Sequence, residues 1–216
     1  MRRLDRADGR HPVRAALIVG SVLALAGCFT GERPTLTPAP ETAEDAATDA
    51  VLERLQNAGN ASFTAEYSIF TPTGTQANAV VVQQGAGRRA VTIGDHRFVE
   101  DGEVSRTCDL TAGTCADGID TAVVSDLAVT ADFYDLSPAT RLRRDVEQRV
   151  GTTQGTAETI AGEAATCVTI PIAQTAARYC ALDAGPLASQ RTTDVTIELL
   201  SYRPSADDTM FTLPTG

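Results

Sequence analysis

The stretch DAVLERLQNAGNASFTAEYSIF, Asp49 to Phe70, changes its period halfway along. In its first part Val51, Leu55 and Ala58 recur about one helical turn apart, a pattern that reaches back to Ala47. Acidic Glu44 and Asp45 stand near its start and Gly59 closes it, so the spacing predicts a helix beginning near Thr42. From Ser62 the period becomes two. Phe63, Ala65, Tyr67 and Ile69 fall on one face and Thr64, Glu66 and Ser68 on the other, which predicts a strand buried on one side.

Such a strand needs neighbours, and the sequence supplies them. QANAVVVQQ (76–84), RRAVTI (88–93), HRFVED (96–101) and EVSRTCD (103–109) are short runs parted by the turn-forming GAG, GD and DG. They read as an antiparallel meander. The middle of the chain differs, because Ile119, Val123, Leu127, Ala131 and Tyr134 recur at helical spacing. Ser137 then offers an N-cap with Pro138 in the first helical position, and Leu142, Val146 and Val150 extend this second helix to Gly151. Strand patterns return in TAETIAGE (156–163), ATCVTIPI (165–172), ARYCALD (177–183) and TTDVTIELLSY (192–202). In the last of these, Val195, Ile197 and Leu199 alternate with Thr196 and Glu198. A helix, strands, a helical insert and more strands form an α+β order, in which helices cover one face of an antiparallel sheet.

The N-terminal region is built differently. Residues 1–14 hold five arginines and two aspartates, and residues 15–27, AALIVGSVLALAG, hold no charge. This is the plan of a secretory signal, and its apolar part falls short of the roughly 20 residues that a spanning helix needs. Leu25-Ala26-Gly27-Cys28 resembles the lipobox of bacterial lipoproteins, in which the cysteine receives a diacylglyceryl group and the signal is cut before it. The expectation is therefore cleavage between Gly27 and Cys28, with acyl chains on Cys28 as the covalent group and no other cofactor. Each buried methylene of such a chain contributes about 0.8 kcal/mol, so two or three chains anchor firmly. The Pro- and Thr-rich residues 28–41 read as a tether that lifts a single domain, 42–216, by at most roughly 40 Å. Localisation follows as the extracytoplasmic face of the cell membrane, reached by the Sec or the Tat route.

Removing residues 1–27 takes the formal charge from −10 to −13, since 18 − 5 basic and 28 − 2 acidic residues remain. An acidic chain argues against nucleic acid as a partner. Five cysteines leave one unpaired in an exported protein, and lipidation of Cys28 accounts for it. The other four form two local pairs, Cys108 with Cys115 and Cys167 with Cys180, each placed like a clip across a hairpin. Two other pairings remain open at this point. Structural zinc wants ligand pairs spaced by two to four residues, and these spacings do not suit it, so no metal is expected.

Nothing in the chain assembles a catalytic set. His96 is the only histidine after residue 27, and no Gly-x-Ser-x-Gly elbow accompanies it. The adjacent carboxylates Glu100-Asp101 and Asp207-Asp208 are what an acidic surface provides, and no phosphate loop or calcium loop occurs. RLRRDVEQR, Arg141 to Arg149, is the one basic island. It could face anionic headgroups, although Asp145 one turn from Arg141 makes a solvated helix face the simpler reading. The residues placed toward the helices from the concave side of a curved sheet are Phe63, Tyr67, Ile69, Phe98, Val195 and Ile197. Phe133 and Tyr134 would meet them from the cover. An apolar stripe of this kind is core by default and lines a cavity only if sheet and helices stand apart.

With these elements in place the chain resembles the LolA and LppX/LprG family of bacterial lipoproteins and carriers. The likeness lies in the lipobox, in DAVLERLQNAGNASFTAEYSI, in the ending VTIELLSYRPSADDTMFTLP, and in GEAATCVTIPIAQTAARYCALDAGPLAS, which is similar to the late strands of related lipoproteins. It implies a curved antiparallel sheet, a half-open β-barrel, with a few helices on its concave side. It also implies a non-catalytic protein that binds or carries a lipid or other amphiphile. The alternative is an envelope lipoprotein of the same fold with a filled core, acting as a structural module or through a protein partner.

Overall fold

The computed structural model describes residues 43–213. Cys28, the signal and the tether thus lie outside the described residues. Helix α1, Ala43–Asn57, ends in a 3-10 turn at Ala58–Asn60 and passes directly into β1, Ser62–Phe70. The meander follows as β2 (Gln76–Gln84), β3 (Arg88–Ile93), β4 (His96–Asp101), β5 (Val104–Asp109) and β6 (Thr114–Asp117). After helix α2, Leu136–Glu147, come β7 (Gln154–Ile160), β8 (Glu163–Ile172), β9 (Thr175–Leu182), β10 (Leu187–Arg191) and β11 (Thr196–Arg203).

All eleven strands form one antiparallel sheet in the order β6-β5-β4-β3-β2-β1-β11-β10-β9-β8-β7. Strand β1 sits at its centre, joining the meander to the C-terminal strand β11, and β6 and β7 stay apart as its two edges. The result is the curved, unclosed sheet of a half-barrel. Tight turns make it possible. Between β7 and β8 the two loop residues Ala161 and Gly162 take φ of 53° and 85°, the left-handed pair that matches the twist of a two-residue hairpin. Helix α1 lies against β7, β8 and β9 and against α2, so the cover spans the second half of the sheet.

Three parts differ from the sequence reading. Residues 119–134 do not form an α-helix: 3-10 turns occupy Thr121–Leu127, interrupted at Val124, whose φ is −119°. Ala128 then takes a left-handed φ of 55°, which ends any helix, and the buried set becomes Val124, Leu127, Val129, Ala131, Phe133 and Tyr134. Helix α2 is capped by Asp135, whose carboxylate accepts from the Leu136 N–H, and not by Ser137. Pro138 becomes its third residue, where an N–H would have had no partner within the helix. The helix also stops at Glu147 before Gly151, because the Val150 N–H turns away to the carbonyl of Pro171. Lastly, LASQR (187–191) is a strand, β10, that the sequence pattern did not reveal. A register shift between Leu187 and Ser189 breaks its alternation.

Candidate functional site

The eight residues assigned to the concave side all belong to one buried apolar cluster, and none is more than 2% exposed. Four of them form a chain of rings. Tyr67 meets Phe133 edge-on at 5.1 Å between centroids, Phe133 meets Tyr134 at 5.9 Å, and Tyr134 meets Phe63 at 5.9 Å. Such contacts contribute about 0.5–1.5 kcal/mol each beyond burial. Phe63 also stacks on Tyr202 at 5.9 Å. Ile69 and Ile197 are direct partners across β1 and β11.

The polar ends of this cluster are satisfied. The Tyr67 hydroxyl donates to the carbonyl of Leu187 at 3.0 Å, and the Tyr134 hydroxyl donates to Gln83 Oε1 at 2.5 Å. The Gln83 amide in turn donates to the carbonyls of Gly59 at 2.9 Å and Gly85 at 2.6 Å. Burial holds the hydroxyls of Tyr67 and Tyr134 well above the usual phenol range, so both stay protonated as donors. Packed rings with closed hydrogen bonds leave the space between β1 and the 131–135 segment filled.

Next to this filled region runs an open groove under α2, with a volume of about 410 Å³. Val129, Phe133 and Ile197 give it an apolar side, and Ser137, Thr140, Arg141, Arg144 and Gln190 give it a polar one. A second groove of about 350 Å³ lies along the same helix and shares Arg141 and Arg144. Arg141 is held in place: its guanidinium bridges Asp194 and reaches the Thr192 hydroxyl at 3.3 Å. Burial would raise the Asp194 carboxyl, but the bonds from Thr192 and Arg141 bring it below its ordinary value. Asp145, expected beside Arg141, instead accepts from the Tyr179 hydroxyl at 2.5 Å. The pairing follows the sheet, because the β10–β11 turn carries Asp194 under the helix. Arg144 has no ion pair or hydrogen-bond partner for its side chain among the described residues.

Gln190 is the residue that sequence reasoning missed. It stands in a row of direct strand partners, Ile69, Ile197, Gln190, Tyr179 and Val168, of which the others present apolar groups or a ring. The residue is only 3% exposed, yet its amide, which is not sealed off from the groove, makes no hydrogen bond among the described residues. The one available signal was a glutamine two residues from an apolar strand, and the register shift at Leu187 hid which way it faces.

The remaining candidates fall elsewhere. Cys108 faces Cys115 and Cys167 faces Cys180 as direct partners on adjacent strands, both pairs at disulfide distance. His96 begins β4 opposite Ile93 and Asp109, and the Asp109 carboxylate accepts from the N–H groups of Thr111 and Ala112. Glu100 pairs with Arg89, and Asp101 and Asp208 both pair with Arg88. Among the described residues no group of three or more His, Cys, Asp or Glu is placed to hold a metal ion. Among the described residues the one strongly displaced carboxyl is Asp135, pushed up to about 6 chiefly by burial against the helix it caps.

Comparison with known proteins supports the fold. No family model matches the chain and no curated protein matches it. Among solved structures it is similar to MucB, with a TM-score of 0.52 at 12% identity over 79% of this chain and 63% of that one. It thus spans less than two thirds of MucB. MucB from Pseudomonas aeruginosa in complex with MucA matches at 0.46 and 14% identity, over 76% and 60%. LprF from Mycobacterium bovis matches at 0.38 and 13% identity, over 79% and 98%. A LolA superfamily protein from Nitrosomonas europaea matches at 0.37 and 9%, over 76% and 97%. The likeness is one of fold, the half-barrel with helices on one face.

Proposed function

We propose that this chain is a lipid-anchored, extracytoplasmic binding protein without catalysis, and that it binds at the grooved surface along α2. A lipid enclosed between sheet and helices is the less favoured alternative. The observation that supports this most is the filled interior, where the eight inward residues pack together with their hydroxyls paired. The grooves along α2 exceed about 300 Å³, the lower end of ligand-pocket volumes. The anchor is supported by the signal and lipobox pattern ending at Cys28. A protein partner at the same surface is the second reading, favoured by the similarity in fold to MucB, which has been solved with MucA.

Two measurements test the proposal. The native membrane protein should begin at Cys28 and carry the added mass of diacylglyceryl and acyl groups; an unmodified Cys28 would overturn the anchor. Every described core residue lies within 43–213, so a chain from residue 29 retains the whole sheet. Organic extraction of that chain should release no tightly held acyl chain. One mole per mole of protein would overturn the filled interior and restore a carrier.

A further inference from the structure

We infer that the groove between α2 and strands β10 and β11 is a site for a small anionic amphiphile, one with a phosphate or carboxylate head and a short apolar tail. The inference rests on the binding reading above and gives it a ligand class. Two observations point to it independently. The first is Gln190, whose nearly buried amide borders the groove with no hydrogen bond among the described residues. That amide is not sealed off, so it meets whatever fills the groove, and a ligand there can supply the hydrogen bond that the fold does not. The second is Arg144, a guanidinium without a partner that borders the groove within the arginine-rich stretch 141–149. An unpaired guanidinium in a locally basic stretch recognises phosphate or carboxylate by charge and by paired N–H donors.

The groove sorts its own chemistry. Val129, Phe133 and Ile197 offer an apolar wall for a tail, while Arg144 and the Gln190 amide offer donors for a head. Arg141 lines the same groove, but Asp194 neutralises it. Asp132 also lines the groove, and its carboxylate accepts from the Thr130 hydroxyl at 2.5 Å. The head therefore belongs at Arg144, away from Asp132. The site differs from an enclosed lipid cavity, since the tail lies along a wall with the filled interior behind it.

The experiment titrates the chain from residue 29 with dodecyl phosphate, dodecyl maltoside and inorganic phosphate, following Kd by calorimetry. Dodecyl phosphate should bind saturably, and at least tenfold more tightly than the other two. Arg144→Gln should weaken dodecyl phosphate about tenfold and leave dodecyl maltoside unchanged. Gln190→Leu should weaken dodecyl phosphate severalfold without loss of thermal stability, which separates a lost ligand contact from a lost fold. Equal affinity for the two amphiphiles, or no effect of Arg144→Gln, would overturn head recognition and leave the binding surface along α2 standing. Inorganic phosphate binding as tightly as dodecyl phosphate would make this a free-phosphate site and overturn the amphiphile. Absence of binding in all three arms would overturn the inference outright, while the acyl extraction above still decides between filled interior and carrier.

Discussion

Two regions that share the concave side of one sheet have opposite characters. Around Tyr67 and Tyr134 each polar group among the rings has a partner, and the rings close on one another. Under α2, two strands away, Gln190 and Arg144 are left without partners beside an open groove. Packing and hydrogen bonding close the first region. In the second the same fold leaves donors waiting. The difference teaches that in this half-barrel open groove space does not follow apolar burial, because the most apolar region is the one with least room.

Substitutions can break or sharpen that contrast. The largest effect is expected from Phe63→Ala in the closed region, which removes a fully buried ring in contact with Tyr134 and Tyr202. It should cost about 3–5 kcal/mol and lower Tm by roughly 10 °C in a thermal melt followed by circular dichroism. A loss below about 1 kcal/mol would mean that the interior is looser than described.

Asp135 lies at the border between the regions and gives the next largest effect. Its carboxyl is raised from 3.8 to about 6, so folding favours its protonated form. Its contribution is then fully present below pH 4 and is lost as pH rises to about 6. At about 1.36 kcal/mol for each tenfold change in proton affinity, that loss is roughly 3 kcal/mol. Asp194 and Glu158 act in the opposite sense, since lowered carboxyls lose their contribution as pH falls below about 4. Asp135→Asn should therefore raise stability by about 2–3 kcal/mol at pH 7.5 and change little at pH 4, measured by urea denaturation at both values. A loss at pH 7.5 would show that the ionised carboxylate is needed as the helix cap.

Gln190→Leu completes the apolar row and should stabilise by at most about 1 kcal/mol in the same denaturation, since it replaces a nearly buried amide without a hydrogen bond to the protein by an apolar group. Destabilisation would place Gln190 among satisfied core groups. Arg144→Ala should change stability by less than about 0.5 kcal/mol, because its side chain is exposed and unpaired.

Much of the fold was legible because it rests on period. The alternation in SFTAEYSIF and in β2 to β5 reports one-sided burial directly, and α1 announces itself by Val51, Leu55 and Ala58. The 119–134 segment misled because its apolar spacing is helical while its backbone bends at Val124 and Ala128, a choice made by packing against the sheet. Strand β10 was hidden by its bulge. The site was less legible still. The inward residues could be named, but whether they enclose space depends on how rings and hydroxyls meet, which alternation does not encode. Arg141 drew attention through its cluster, yet its partner Asp194 lies 53 residues away in sequence. Gln190 carried no pattern at all.

The most direct test of the contrast is photo-crosslinking of the chain from residue 29 with a diazirine-bearing fatty acid, followed by peptide mapping of the labelled residues. Label should fall on residues 128–144 and 190–197, along the groove beneath α2. Label on Phe63, Tyr67 or Phe98, or none anywhere, would contradict the account.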